Sequence, residues 1–279
     1  MKDIKMLVDQ KHTLVMGILN ATPDSFYDGS KYQSIEAALQ QVSKMIRAEV
    51  DIIDVGGEST RPGAVAVDVG EEKKRVIPLI KAIRRLSSDL PVSIDTTKAE
   101  VAYEAVKAGA SIVNDISALR NDSDMIGVLK EFGTYIVIMH MQGSPENMQD
   151  NPVYKKYVVD EINDFFEERI DFIQRNGVDR KKIILDPGIG FGKTVEHNLQ
   201  ILANCGKFKK FGLPLLIAPS NKSFIGNILK VDPDNRMWGT AATISYVISK
   251  GVDIVRVHDV PEMKMVATLV AEIINHRQG

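Results

Sequence analysis

The carboxylates Asp95 and Asp186, the amide Asn114 and the cationic or cation-capable Arg61, Lys222, Arg256 and His258 each stand at or just beyond the end of an apolar run. Carboxylates and an amide suit a planar heterocycle that presents N–H and NH2 groups, whereas guanidinium and ammonium groups suit a phosphate or pyrophosphate. A rim combining both implies a heterocycle with a phosphorylated tail. Arg256 and His258 alternate with apolar neighbours in the run Ile254-Val255-Arg256-Val257-His258, so both point to one side of a strand. Burying two such groups without an anionic partner is too costly, and substrate is the partner expected. Ser220 and Lys222 stand where a new helix should begin, a second place for an anion.

The elements that must position these groups are most legible over residues 91–117, PVSIDTTKAEVAYEAVKAGASIVNDIS. A short β-prone run stops at Asp95, and Thr97 followed by Glu100 reads as a capping box opening a helix. Val101, Ala105 and Ala108 give that helix an apolar face, Gly109 ends it, and a second apolar run stops at Asn114-Asp115. Parallel strands joined through a helix point the same way, so Asp95 and Asn114 should emerge side by side at the carboxyl edge of a sheet, where α/β folds bind ligands.

The rhythm recurs. Apolar runs at 13–19, 51–55, 135–139, 183–185, 213–218 and 252–255 end at Asn20, Gly56-Gly57-Glu58, His140, Asp186, Ser220 and Arg256. With the two runs above, that makes eight strand-helix units, the size and count of a (β/α)8 TIM barrel in a single domain over 1–279. A doubly wound sheet would show the same alternation, and the count favours the barrel.

Other loops carry weaker signals. Phe26 lies in the polar stretch after Asn20, where an aromatic has no core to enter; a plain turn is the alternative. Two adjacent glycines, Gly56 and Gly57, would let backbone approach a ligand, and Pro62 restricts the loop that carries Arg61. His140 lacks companions at zinc-site spacing, so a hydrogen-bonded structural role and a catalytic one stand level. The run Asp186-Pro-Gly-Ile-Gly-Phe191-Gly-Lys193 lacks dinucleotide-binding spacing.

Composition excludes several classes. Lys and Arg number 35 against 37 Asp and Glu, a formal charge of -2, so no general field draws nucleic acid or an acidic membrane. No apolar run is long enough to cross a membrane, and the first residues lack the apolar stretch of a secretion signal. The single Cys205 fits a reducing cytoplasm and reads as a buried, inert thiol.

In order and spacing, MGILNATPDSF, IDVGGESTRPGA, SIDTTKAEVA with AGASIVNDIS, MHMQGSPENMQ, LDPGIGFGKTVEHNL, SFIG and IVRVHDV resemble the dihydropteroate synthase family over about residues 14–275. The resemblance implies a barrel that condenses 6-hydroxymethyl-7,8-dihydropterin pyrophosphate with p-aminobenzoate and releases pyrophosphate, using Mg2+ and usually as a homodimer. It implies that Asp95, Asn114, Asp186 and Lys222 hold the pterin, with Met139 and Phe191 lining its pocket. Asn20, Arg61, Arg256 and His258 would hold pyrophosphate, with Asn20 on the Mg2+, and Phe26, Thr60, Pro62 and Ser220 would frame p-aminobenzoate. Asp95, Asp186, Lys222 and Arg256 would be catalytic. A methyltetrahydrofolate-dependent methyltransferase would need neither the Thr60-Arg61-Pro62 loop nor His258; a catalytically idle pterin-binding protein is separated by turnover. One departure stands out: Asn221 occupies a position where the family usually has arginine. If that guanidinium supplied one contact, Asn221→Arg should improve affinity; a repacked site should gain nothing.

Overall fold

The computed structural model describes residues 12–21, 31–59, 66–145 and 147–276. Its strands are β1 (Leu14–Asn20), β2 (Ile52–Gly56), β3 (Val92–Asp95), β4 (Ile112–Asp115), β5 (Tyr135–Met139), β6 (Ile183–Asp186), β7 (Leu216–Ile217) and β8 (Ile254–Val257). Between and after them run α1 (Lys31–Arg47), α2 (Val69–Leu86), α3 (Ala99–Lys107), α4 (Met125–Phe132), α5 (Val158–Arg175), α6 (Val195–Ala203), α7 (Ser223–Leu229), α8 (Met237–Ile248) and α9 (Val260–Asn275). The strands form one 8-stranded sheet in the order β6-β5-β4-β3-β2-β1-β8-β7, all neighbours parallel. A bridge between Leu185 and Leu215, with the Leu185 N–H 2.9 Å from the Pro214 carbonyl, brings the two ends together into the expected barrel.

That seam is the weakest part of the wall. Apolar content predicts a strand over 213–218, whereas β7 is confined to Leu216–Ile217. Pro214 and Pro219 bracket it and donate no N–H, which shortens the ladder. The Leu215 carbonyl compensates by accepting from both Asp253 and Ile254, each at 3.0 Å.

Side-chain alternation divides the core. Outward residues pack beneath the helices in the main cluster, which includes Val15, Ile53, Ile94, Val113, Ile136 and Val255. Inward residues Leu14, Met16, Ile52, Ile112, Val137, Ile184, Leu216 and Ile254 fill the barrel. Each fully buried aliphatic side chain contributes roughly 1.5–3 kcal/mol relative to exposure. Two residues further along several strands, the same inward row turns polar: Ile52 leads to Asp54, Ile112 to Asn114, Ile184 to Asp186 and Ile254 to Arg256. The aliphatic plug is thus the floor of a polar chamber at the carboxyl end.

The capping box expected at Thr97 does not form. α3 begins at Ala99 behind an extended Lys98 without a side-chain cap, and the Ala99 N–H bonds instead to Asp122 Oδ2 at 2.8 Å. The cap comes from the β4–α4 connection, so local spacing could not reveal it. A capping box does occur at Thr194, whose Oγ1 accepts from the His197 N–H at 3.1 Å.

Candidate active site

Arg256, on β8, reaches across the chamber to two carboxylates. Its Nε donates to Asp54 Oδ2 at 2.6 Å and its Nη2 to Asp95 Oδ2 at 2.7 Å. The same Asp54 oxygen accepts from Asn114 Nδ2 at 3.1 Å. Asp95 and Asn114 are register partners on β3 and β4, side by side as the strand-end reading requires. Asp186 ends β6, and its Oδ1 accepts the Gly188 N–H at 2.7 Å. Gly188 has φ +71, and a Cβ there would lie 2.0 Å from the His140 carbonyl oxygen, so the turn past Asp186 requires glycine.

Met139 and Phe191 stand in one apolar cluster with Ile116, Met141 and Met148, and Lys222 Nζ lies 4.2 Å from the centre of the Phe191 ring. An apolar wall meeting acceptors and donors suits a flat polar ring. Ser220 and His258 are joined directly: Ser220 Oγ is 2.9 Å from His258 Nδ1 and accepts the His258 N–H at 3.2 Å. Asn20 ends β1 opposite Gly56, which is itself opposite Asp95. Of the glycine pair, Gly57 serves packing, since a Cβ there would meet Val76 Cγ1 at 2.8 Å. Phe26, Thr60, Arg61 and Pro62 lie outside the described residues.

His140 resolves toward the structural reading. Lys193 Nζ is 3.1 Å from His140 Nδ1, 3.1 Å from the His140 carbonyl and 2.8 Å from the Phe191 carbonyl. Burial, with Lys193 and Arg120 nearby, holds the His140 pKa well below its usual value. Lys193, itself buried, ties the end of β5 to the loop that carries Phe191. Burial lowers its pKa to about 7, against the opposing pull of Asp186.

The chamber perturbs its ionisable groups strongly. Desolvation raises Asp95 to about 7, countered by Arg256 and assisted by Asp54. Desolvation also raises Asp186 to about 6, against the Gly188 N–H and the Lys222 charge. Lys222 is lowered to about 8 by burial and then by Arg256. Arg256 goes the other way: burial lowers it, yet Asp54 and Asp95 outweigh that and its pKa is raised.

Asp54 and Lys193 are the groups that strand-end reasoning passes over. Asp54 lies inside its apolar run, but the alternation that singles out Arg256 and His258 applies to it equally. For Lys193 the sequence offers only its position after a glycine-rich turn. Cys205 is buried and free, as expected. Among the described residues, no group of three or more His, Cys, Asp or Glu side chains could hold a metal, and no helix is long and apolar enough to cross a membrane.

A parallel barrel whose carboxyl-end chamber sets carboxylates, an amide and a lysine against an apolar wall has the makeup of a pterin-binding enzyme, and a family model described as pterin binding enzyme matches residues 16–258. The chain is 47% identical over 257 residues to a dihydropteroate synthase of Synechocystis sp., covering 92% of this chain and 88% of that one. A Yersinia pestis dihydropteroate synthase solved with a sulfonamide drug superposes with a TM-score of 0.89 at 40% identity, over 95% of both chains. A Clostridium difficile dihydropteroate synthase solved in the presence of pteroic acid gives 0.88 at 46% identity, over 94% of this chain and 97% of that one. The chain belongs to the dihydropteroate synthase family of pterin-binding enzymes. It is a transferase of folate biosynthesis.

Proposed function

We propose that the chamber binds 6-hydroxymethyl-7,8-dihydropterin pyrophosphate with its ring against Met139 and Phe191 and its tail toward the β1 and β8 ends, and that p-aminobenzoate enters beside Ser220. The observation that carries this reading is the union, on one rim, of Asp95, Asn114, Asp186 and Lys222 with Arg256 and His258. Asp186, Asp95 and Asn114 answer the ring's N–H and amino groups, and Lys222 answers its acceptors. The bond between the methylene carbon and the pyrophosphate oxygen breaks with its electron pair leaving on pyrophosphate. The pterin-stabilised cation left behind faces Asp95 and Asp186, whose charge then stabilises the transition state more than the ground state. The amine nitrogen of p-aminobenzoate forms the new C–N bond and loses a proton, giving 7,8-dihydropteroate. Arg256 and His258, with Arg61 from the β2–α2 connection, hold the departing pyrophosphate.

The donor set fits Mg2+ as a substrate-borne ion. A single protein oxygen, that of Asn20, with phosphate oxygens and water is a common arrangement for Mg2+, which keeps several waters and seldom needs a protein cage. When bound there it would neutralise charge on the leaving group.

A homodimer is supported by the face of α8 and α9. α8 carries no charged residue and exposes Trp238 at 77%, and on the adjoining α9 Met265 and Leu269 are 68% and 63% exposed with Ile273 one turn on. Exposed apolar side chains on two adjoining helices suit an association surface, and a second copy of the chain is the partner proposed. A cytoplasmic location agrees with the lone, buried, unpaired Cys205. Neither nucleic acid nor a membrane enters the reading.

Mixing the two substrates with Mg2+ and the purified chain should release pyrophosphate in step with dihydropteroate. Tight pterin binding without turnover would establish the idle pterin-binding alternative instead.

A further inference from the structure

Asp54 takes no part in the steps above, yet it is the most enclosed carboxylate of the chamber, with no exposed surface. Its register partner is Ser93, one inward layer below Asp95, and β4 carries Ile112 at the corresponding depth. From there its Oδ2 bonds upward to two groups of the substrate layer, Arg256 Nε at 2.6 Å and Asn114 Nδ2 at 3.1 Å. Among the described residues Arg256 is committed at two of its three nitrogens, Nε to Asp54 and Nη2 to Asp95, and Nη1 is the one that would face an anionic tail. A guanidinium with only the Asp95 contact could rotate about it; the second contact fixes the plane.

A stabilising role explains Asp54 poorly. Its Oδ1 is buried and has no bonding partner among the described residues. A buried ion pair with an unsatisfied oxygen is a weak source of stability and is often replaceable by apolar groups without loss.

Resting on the pterin pyrophosphate reading, we propose that Asp54 is a positioning residue that orients Arg256 toward the leaving group and Asn114 toward the ring. The contact with Asn114 gives ring and tail a common reference point, so the bond to be broken is set by one carboxylate below both. Asp54 also bears on Asp95, whose pKa it raises while Arg256 lowers it.

The test is a double-mutant cycle in kcat/KM for the pterin pyrophosphate, using Asp54→Ala, Arg256→Ala and the pair, with unfolding midpoints measured for each. On the wild-type background Asp54→Ala should lower kcat/KM about 10²-fold, the scale of a catalytic group misplaced by about 1 Å. On the Arg256→Ala background the same change should cost about tenfold or less, because only the part carried through Asn114 remains. If Asp54→Ala does not fold, Asp54→Asn, nearly isosteric, goes through the same cycle; its smaller loss should likewise shrink without Arg256. Equal losses on both backgrounds, or a loss that follows the unfolding midpoint, overturn the positioning role while leaving the synthase reading intact. Absence of turnover in the wild type overturns that reading and this proposal together.

Discussion

Arg256 Nη2 and Asp95 Oδ2 stand 2.7 Å apart and join the eighth strand to the third across the mouth of the barrel. The contact means that the group proposed for the pyrophosphate tail and a group proposed for the ring are not independent. Asp95→Asn keeps the shape of the side chain and removes the anion proposed to face the developing cation. Its turnover should fall about 10² to 10³-fold, as for other single preorganised electrostatic contacts, with the fold retained. Steady-state rates equal to wild type would remove Asp95 from the mechanism.

The same residue links pH to stability. Between the usual carboxylate value of 3.8 and about 7, the folded chain keeps a proton on Asp95 that the unfolded chain has released. Its contribution to stability is therefore full below about 4 and is lost as pH rises through 7. Asp95→Asn cannot ionise, so its unfolding midpoint relative to wild type should be more favourable at pH 8 than at pH 5. Calorimetry at the two pH values checks this, and the absence of any difference would mean that Arg256 keeps Asp95 ionised throughout.

Catalysis should carry its own pH signature. The proposed mechanism needs Asp95 as the anion, present above about 7, and Lys222 as the cation, present below about 8. The kcat/KM profile for the pterin pyrophosphate, which reports the free enzyme, should be bell-shaped with its maximum between those values. Its limbs belong to the coupled group of Asp95, Asp186, Lys222 and Arg256 rather than to single residues. A profile flat from pH 6 to 9 would contradict the assignment.

What the sequence discloses here depends on whether a residue's partner is local. Asp95, Asn114 and Asp186 are legible because each ends an apolar run, and parallel strands then carry them to one rim. The run 135–139 coincides with β5, bounded by Gly133 with positive φ and by His140. Asp54 is hidden because it interrupts a run that continues to Gly56, and its partners are 202 and 60 residues away. The Asp122 cap on α3 and the Ser220–His258 pair are likewise long-range contacts that spacing does not encode.

Arg256→Ala should weaken binding of the pyrophosphate ester more than binding of 6-hydroxymethylpterin, since only the ester presents the tail. The tailless ligand should also lose some affinity, because removal of Arg256 leaves Asp54 and Asp95 without the cation between them. Titration calorimetry with both ligands decides. Equal losses would assign Arg256 to the ring alone.

Asn221 is where this chain departs from the family's usual arginine, and its surroundings favour a repacked loop over a merely missing contact. Its backbone has φ +57, a left-handed conformation that asparagine tolerates better than arginine does. Its N–H bonds to Thr240 Oγ1 at 3.1 Å, its carbonyl accepts from Arg236 Nη1 at 2.9 Å, and its side chain bonds to Asp259. Thr240 is fully buried and Arg236 immediately precedes α8, so both backbone and side chain of Asn221 are committed to neighbouring elements. An arginine placed there must hold the strained conformation and give up the bond to Asp259. Asn221→Arg should therefore lower stability by about 1 kcal/mol and leave KM for p-aminobenzoate unchanged or higher. Asn221→Gly, which keeps the backbone geometry, should retain more of the wild-type stability than the arginine variant does. A clear fall in KM in Asn221→Arg, with no loss of stability, would restore the account in which a single guanidinium contact is all that the chain lacks.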